Sequence, residues 1–178
     1  MNAHNIELFF HTLKEANPLP TTELAYTSVF ELLTAVLLSA QATDVSVNKA
    51  TRKLFPVANT PQAILALGQE GLESYIKTIG LYRNKASNLL KTCQILMDQY
   101  QGEIPRSRDA LESLPGVGRK TANVVLNVAF GEPTMAVDTH IFRVGNRTGL
   151  AAGKTPLAVE MQLMKRIPAE YLVDAHHW

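Results

Sequence analysis

A lysine and an aspartate near a glycine-rich turn are the residues of this chain best suited to chemistry. Lys120 ends the stretch Leu114-Pro-Gly-Val-Gly-Arg-Lys, and Asp138 follows 18 residues later in the stretch Val137-Asp-Thr-His. A helix that ends at Leu114, a tight turn and a second helix from Arg119 predict a helix-hairpin-helix. The N–H groups at such a helix start can bind a phosphate oxygen. A lysine and a carboxylate held together there indicate amine chemistry on a sugar rather than simple binding.

Each of these residues also has an ordinary structural interpretation. Gly116 and Gly118 suit any tight turn before a helix, because glycine reaches positive φ without strain. A lysine beside a phosphate often only neutralises charge. Asp138 is placed to be the N-cap of a helix through Arg147, where the helix dipole keeps a carboxylate ionised. The hairpin alone leaves these alternatives open.

The composition is that of a globular protein with little excess charge. The chain has 178 residues, of which 46% are hydrophobic and 19% charged, and its net charge is +1. A face that binds nucleic acid must therefore be a local basic patch rather than a global excess of charge. The candidate patches are Lys49 with Arg52 and Lys53, Arg119 with Lys120, and Arg143 with Arg147. The first of these is also typical of a solvated helix face.

The single cysteine limits the chemistry available to these residues. Cys93 is the one cysteine of the chain, so neither an internal disulfide nor a four-thiolate metal site is expected. It falls on the apolar stripe of a predicted helix, which favours a small buried side chain over a nucleophile. No signal peptide is recognisable, and no apolar run reaches the ~18 residues that span a bilayer. We expect an intracellular protein, cytoplasmic or associated with the nucleoid.

Helical periodicity dominates the chain and predicts an all-α fold. Apolar spacing predicts an N-terminal helix over Ile6 to Leu13 and a long helix from about Asn84 to Tyr100. A capping box that begins at Ser28 predicts a nearly all-apolar helix at the centre of the fold. Gly68 predicts the end of a helix begun at Pro61. Further helices are expected after Asp44, Leu72, Ser107, Arg119 and Thr155.

Four motifs, taken in order, resemble the helix-hairpin-helix DNA glycosylase superfamily and, within it, the endonuclease III branch. They are residues 37–44 (LLSAQATD), 79–86 (IGLYRNKA), 114–123 (LPGVGRKTAN) and 137–144 (VDTHIFRV). The lysine at position 120 argues against the adenine-excising branch, and the first motif does not resemble the 8-oxoguanine branch. The resemblance spans nearly the whole chain.

The resemblance implies two all-α lobes with the active site in the cleft between them. One lobe is a six-helix barrel that carries the hairpin, expected here over residues 22–133. The second lobe is expected to combine residues 1–21 with residues 134–178.

The resemblance also implies a base excision repair enzyme, a bifunctional DNA N-glycosylase for oxidised pyrimidines with abasic-site (AP) lyase activity. Lys120, as a neutral amine, would attack C1′ of the damaged nucleotide. Asp138 would accept its proton or stabilise the cationic sugar. The base would leave, an imine would form between Lys120 and the sugar, and β-elimination would cut the strand.

The loop motifs imply how the DNA is held. The family resemblance makes Leu81 a wedge in the base stack and Gln41 a filler of the space left by the flipped nucleotide, because unstacking must be offset by substitute contacts. By themselves, the two residues also fit a leucine that covers the core and a solvated glutamine. The expected partner is damaged double-stranded DNA with a flipped pyrimidine or an abasic site, bound by a monomer without membrane association. Further DNA contacts are expected at Gly116, Val117, Gly118, Arg119, His140 and Arg143.

The sequence departs from the family at its end, Asp174-Ala-His-His-Trp178. Family members continue to four cysteines that hold a 4Fe–4S cluster, so we expect a truncated second lobe and no cluster or other cofactor in this chain. His176 and His177 could suggest a metal site, but adjacent side chains of a helix point in different directions. Two alternatives follow: a DNA-binding remnant with little or no turnover, and a non-enzymatic hairpin module. The presence of both Lys120 and Asp138 argues against the second.

Overall fold

The computed structural model describes residues 1–178, and its regular elements are all helices, so the predicted all-α fold is confirmed. None of them combines the length and the apolar character that a membrane span requires. In chain order the helices are α1 (Ala3–Ala16), α2 (Val29–Ser39), α3 (Asp44–Leu54), α4 (Pro61–Ile76), α5 (Tyr82–Tyr100), α6 (Arg108–Glu112), α7 (Arg119–Phe130), α8 (Thr139–Thr148), α9 (Pro156–Arg166) and α10 (Ala169–Leu172).

Most of these helices begin where side-chain capping predicts. The Ser28 hydroxyl accepts a hydrogen bond from the Glu31 N–H at 3.1 Å, which confirms the cap of α2. Ser107, Thr60 and Thr155 cap α6, α4 and α9 in the same way. Such caps satisfy backbone donors that have no partner within the helix.

The prediction that Gly68 ends a helical segment is confirmed, because two helical segments of α4 meet at this residue. Gly68 adopts φ 68° and ψ −178°, which kinks α4, and helical turns resume and continue to Ile76. Ile64 lies before the kink and Leu72 after it, and both are fully buried. A glycine with positive φ is typical of the end of a helical segment, and a second buried segment follows it within α4.

The chain divides into two compact units, which we call the central unit and the terminal unit. The central unit is residues 23–125, and the terminal unit joins residues 1–22 to residues 126–178. The boundary falls inside α7. In the central unit α2 is buried without a break from Phe30 to Leu38, as its apolar sequence predicts.

The terminal unit has a smaller core of its own. Ile6 and Phe10 of α1 pack with residues of α9 and α10, among them Leu163 and Tyr171. The Phe10 and Tyr171 rings are stacked with centroids 5.8 Å apart. This core supports α8, which carries Asp138 at its start.

Candidate active site

The helix-hairpin-helix in the central unit is formed by α6, a tight turn and the start of α7. The Val117 N–H donates to the Leu114 carbonyl at 3.1 Å, and the Ala122 N–H donates to the Gly118 carbonyl at 3.0 Å. These two bonds close the turn and open α7. Thr92 of α5 donates its hydroxyl to the Pro115 carbonyl at 3.1 Å, which holds the turn against the rest of the unit.

Gly116 is required at this turn for two separate reasons. Its φ is +81°, in the left-handed region that side chains disfavour. A Cβ at this position would also lie 3.2 Å from the Asn88 amide nitrogen and 3.4 Å from a methyl group of Leu37. Gly116 and Gly118 are exposed, and Val117 between them is buried.

Lys120 lies in the first turn of α7, directly after this hairpin. Its side chain is exposed, and Arg119 beside it is half-buried. N–H groups at a helix start and the positive end of the helix dipole attract a phosphate. The arrangement presents a primary amine beside a site suited to a nucleic-acid backbone.

Two other predicted DNA contacts share an unusual backbone conformation. Gln41 has φ 55° and Leu81 has φ 60°, and both side chains are exposed, that of Leu81 by 59%. The left-handed conformation costs roughly 1 kcal/mol or more for a residue other than glycine. Such strain is concentrated at functional positions, so it independently favours a role for these two loops.

Lys85 ties the two loops together, a function that sequence reasoning missed. It lies near the start of α5, four residues after Leu81, and it is buried. Its ammonium donates to the carbonyls of Leu38 and Ala40, at 3.0 and 2.6 Å, just before Gln41. A cation there satisfies the last carbonyls of α2. Burial lowers the pKa of Lys85 from its ordinary value.

In the terminal unit, Asp138 is the N-cap of α8, so this structural prediction is confirmed. One carboxylate oxygen accepts the Ile141 N–H at 2.8 Å. The other lies 3.4 Å from Nδ1 of His140, whose side chain is 85% exposed. The carboxylate lies at the positive end of the helix dipole, and the Asp138 side chain is 35% exposed.

Asp138 also lines a cavity of about 310 Å³ within the terminal unit, together with His140, His176 and His177. The prediction that His176 and His177 point apart is wrong, because α10 ends at Leu172 and their ring centroids lie 3.9 Å apart. Burial, with a smaller contribution from His177, lowers the pKa of His176 to about 4, whereas Asp138 acts to raise it.

Arg143 lies on the opposite, solvent-facing side of α8 from the buried Gly145. With Arg147 and Asn146 it lines a shallow groove of about 590 Å³. Two arginines one helical turn apart form a local basic patch, as the sequence indicates.

The chain's thiol chemistry does not fit an iron–sulfur cluster. Cys93 is the one cysteine, and it is buried in the central unit. Burial raises the pKa of its thiol to about 12, which opposes the thiolate form that binds iron. No group of three or more histidine, cysteine or acidic side chains is arranged to hold a metal ion.

The predicted site residues are thus divided between the two units. The central unit contains Gln41, Leu81, Gly116, Val117, Gly118, Arg119 and Lys120, and the terminal unit contains Asp138, His140 and Arg143.

Comparisons with known proteins agree with the motifs. A model of the HhH-GPD superfamily of base excision DNA repair proteins matches residues 34–169. Endonuclease III of Escherichia coli (strain K12) is 69% identical over 166 residues, which are 93% of this chain and 79% of that protein. Endonuclease III of Rickettsia conorii (strain ATCC VR-613 / Malish 7) is 56% identical over 178 residues, 100% of this chain and 85% of that protein.

The fold comparison gives the same result. The solved structure of a trapped endonuclease III–DNA covalent intermediate matches with a TM-score of 0.94 and 49% identity, over 99% of this chain and 84% of that one. The sequence-based resemblance is confirmed by these findings. The chain belongs to the HhH-GPD superfamily of base excision DNA repair proteins, on its endonuclease III branch, and is a DNA glycosylase.

Proposed function

We propose that this DNA glycosylase is bifunctional, removing oxidised pyrimidines and then cutting the strand through an imine on Lys120. The observation that carries the proposal is the exposed Lys120 amine in the first turn of α7, directly after a hairpin whose glycine is fixed by conformation and by space. A solved endonuclease III–DNA complex of the same fold is a trapped covalent intermediate, which supports a covalent step here.

The proposed reaction needs only protein side chains and water. The neutral Lys120 amine forms a bond to C1′ as the bond from C1′ to the base breaks, and the base leaves with that electron pair and takes up a proton. Opening of the sugar ring gives an imine. Loss of a proton from C2′ then breaks the bond from C3′ to oxygen and cuts the strand. Water hydrolyses the imine and restores Lys120.

Asp138 is proposed to act during base removal. Its carboxylate, stabilised at the start of α8, would accept the Lys120 proton or stabilise the positive charge that develops on the sugar. The DNA contacts proposed around the reaction are Gln41, Leu81, Gly116, Val117, Gly118, Arg119, His140 and Arg143.

The left-handed loops support a flipped-nucleotide substrate. An exposed Leu81 on a strained loop can replace stacking contacts, and Gln41 can replace hydrogen bonds of the extruded nucleotide. We propose that the protein acts as a monomer on nucleoid DNA, that the central unit is the family's barrel lobe, and that residues 1–178 use no cofactor.

Borohydride trapping on an abasic duplex tests the proposal directly. The parent chain should give a covalent adduct, and Lys120→Gln should lose it by at least about 10³-fold, since it removes the proposed nucleophile. Lys91→Gln, which removes an exposed lysine of α5, is the matched control and should trap like the parent. Peptide mapping of the adduct should locate the modification at position 120.

Two results would contradict the proposal. If Lys120→Gln formed as much trapped adduct as the parent, Lys120 would not be the nucleophile. DNA binding by the parent with no adduct and no base release would favour the alternative of a DNA-binding protein without turnover.

A further inference from the structure

A basic groove lies in the central unit, apart from the hairpin and from Lys120. It has a volume of about 900 Å³ and runs between α3 and the end of α4. Lys49 and Lys53, one helical turn apart on α3, line one wall, and Lys77 at the end of α4 lines the other. Arg52 adds a fourth cation, and all four side chains are exposed.

The charge of this groove is not balanced by the protein. No carboxylate lines it, and none of its four cations takes part in an ion pair. The whole chain has a net charge of only +1, so this concentration is local. Clustered cations repel one another, and a partner that brings several negative charges relieves that repulsion.

The neutral residues of the groove favour phosphate as that partner. The exposed Thr78 hydroxyl and the half-buried Tyr75 phenol line the same wall as Lys77. Hydroxyl donors beside lysines are typical contacts of a phosphate backbone.

The position of the groove points to duplex DNA rather than to a small anion. Its α3 wall begins at Asp44, three residues after Gln41. Its other wall ends at Thr78, three residues before Leu81. Both walls therefore run directly out of the two strained loops proposed to contact the damaged base pair. DNA that is seated on these loops places its flanking phosphates next to the groove.

We propose that the groove of Lys49, Lys53 and Lys77 binds the phosphate backbone of duplex DNA beside the lesion. The proposal rests on the proposed function, and it adds a second phosphate-binding surface to the hairpin. Its contribution is to affinity and not to the chemical step, because no residue of the hairpin or of α7 lines the groove.

The test compares two double variants of equal charge. Lys49→Gln/Lys77→Gln removes one cation from each wall, and Lys91→Gln/Lys165→Gln removes two exposed lysines elsewhere. Fluorescence anisotropy measures the affinity for an undamaged duplex and for an abasic duplex over a series of salt concentrations. Each lost phosphate contact lowers the slope of log K against log salt by about 0.9.

We expect the groove variant to lower this slope by about 1.8 and to bind about 10-fold more weakly near 0.1 M salt. The control variant should change affinity by less than about 2-fold. Single-turnover cleavage at saturating protein should equal that of the parent. Two further duplexes are each shortened on one side of the lesion. The difference in affinity between the groove and control variants should vanish on the duplex that lacks the phosphates next to the groove, and it should persist on the other.

Equal slopes for the groove and control variants would overturn the proposal, as would a difference that persists on both shortened duplexes. A loss of single-turnover cleavage in the groove variant would also overturn it. Binding to undamaged DNA does not depend on imine formation, so failure of the groove is distinguishable from failure of Lys120 as the nucleophile.

Discussion

The central and terminal units differ in how they are stabilised. Most of the large, fully buried side chains belong to the central unit, among them Leu32, Leu33, Leu38, Leu54, Ile64, Leu72, Ile76, Leu89, Leu96 and Leu111. The terminal unit is also joined by polar links between distant parts of its sequence. Its N-terminal ammonium donates to the Gly149 carbonyl, Arg166 donates to the carbonyls of Gly149 and Leu150, and Trp178 donates to that of Asn17.

The strained backbone follows the same division. The residues other than glycine with positive φ are Gln41, Leu81 and Gln101, and all three lie in the central unit. A dense apolar core can hold such conformations, because it stabilises the fold by more than the strain costs. The two strained loops proposed to contact DNA thus belong to the central unit, and the Asp138 carboxylate belongs to the terminal unit with its smaller core.

Asp138→Asn should produce the largest effect in the terminal unit. Asparagine caps a helix as well as aspartate does, so α8 should persist while the charge is lost. We expect base excision to fall by about 10²-fold or more, in the range of a positioned acid–base group. Cleavage of a preformed abasic site should fall less, since its aldehyde is already electrophilic. Single-turnover rates on the two substrates measure the difference.

The comparison with Asp138→Ala separates chemistry from capping. Alanine removes the cap as well and should cost about 1 kcal/mol of stability, seen as a lower midpoint of thermal unfolding. An equal loss of rate on damaged and abasic substrates with Asp138→Asn would contradict the proposed division of roles.

Local sequence signals predicted what local chemistry determines. The caps at Ser28 and Asp138 and the burial of Cys93 were predictable, since each depends on neighbours in the chain or on helical spacing. The hairpin was predictable because the positive φ of Gly116 favours glycine at this turn.

Long-range contacts account for what the sequence did not predict. Lys85 resembles a solvated helix residue, and its buried contact is to a carbonyl 47 positions away. The side-by-side rings of His176 and His177 follow from the end of α10, which periodicity did not indicate.

Lys85→Met tests whether the central unit holds its loops through this contact, with a smaller expected effect than Asp138→Asn. Methionine keeps an unbranched apolar stem but leaves the carbonyls of Leu38 and Ala40 without their donor, at a cost of about 1–3 kcal/mol. Because methionine is uncharged, the substitution also removes the cost of burying an ammonium, which offsets part of this loss of stability. We expect excision of a damaged base to fall about 10-fold, with less change at an abasic site, where no base must be extruded.

Single-turnover excision and thermal unfolding together decide this prediction. Lys91→Met, at an exposed position of the same helix, is the control and should behave like the parent. Excision by Lys85→Met at the parental rate would show that the loops keep their geometry without the ammonium.

The smallest expected effect is a pH dependence confined to the terminal unit. The pKa of His176 is lowered to about 4, chiefly by burial, from an ordinary value near 6.5. Below pH 6.5 the His176 imidazole is protonated in the unfolded chain but stays neutral in the folded unit. The contribution of neutral His176 to the free energy of unfolding is therefore fully present above pH 6.5. It falls as the pH drops toward 4, with a loss on the order of 1 kcal/mol at pH 5.5.

The single tryptophan makes this dependence measurable in the terminal unit alone. Trp178 lies in that unit, with its ring centroid 6.4 Å from that of Phe10, so its fluorescence reports unfolding there. Denaturant titrations at pH 7 and pH 5.5 should show the loss in the parent and a smaller loss in His176→Gln, which cannot be protonated. His4→Gln, at an exposed position of α1, should retain the parental loss. If His176→Gln lost as much stability as the parent, the acid sensitivity would have to come from other groups, and its assignment to the buried His176 would be wrong.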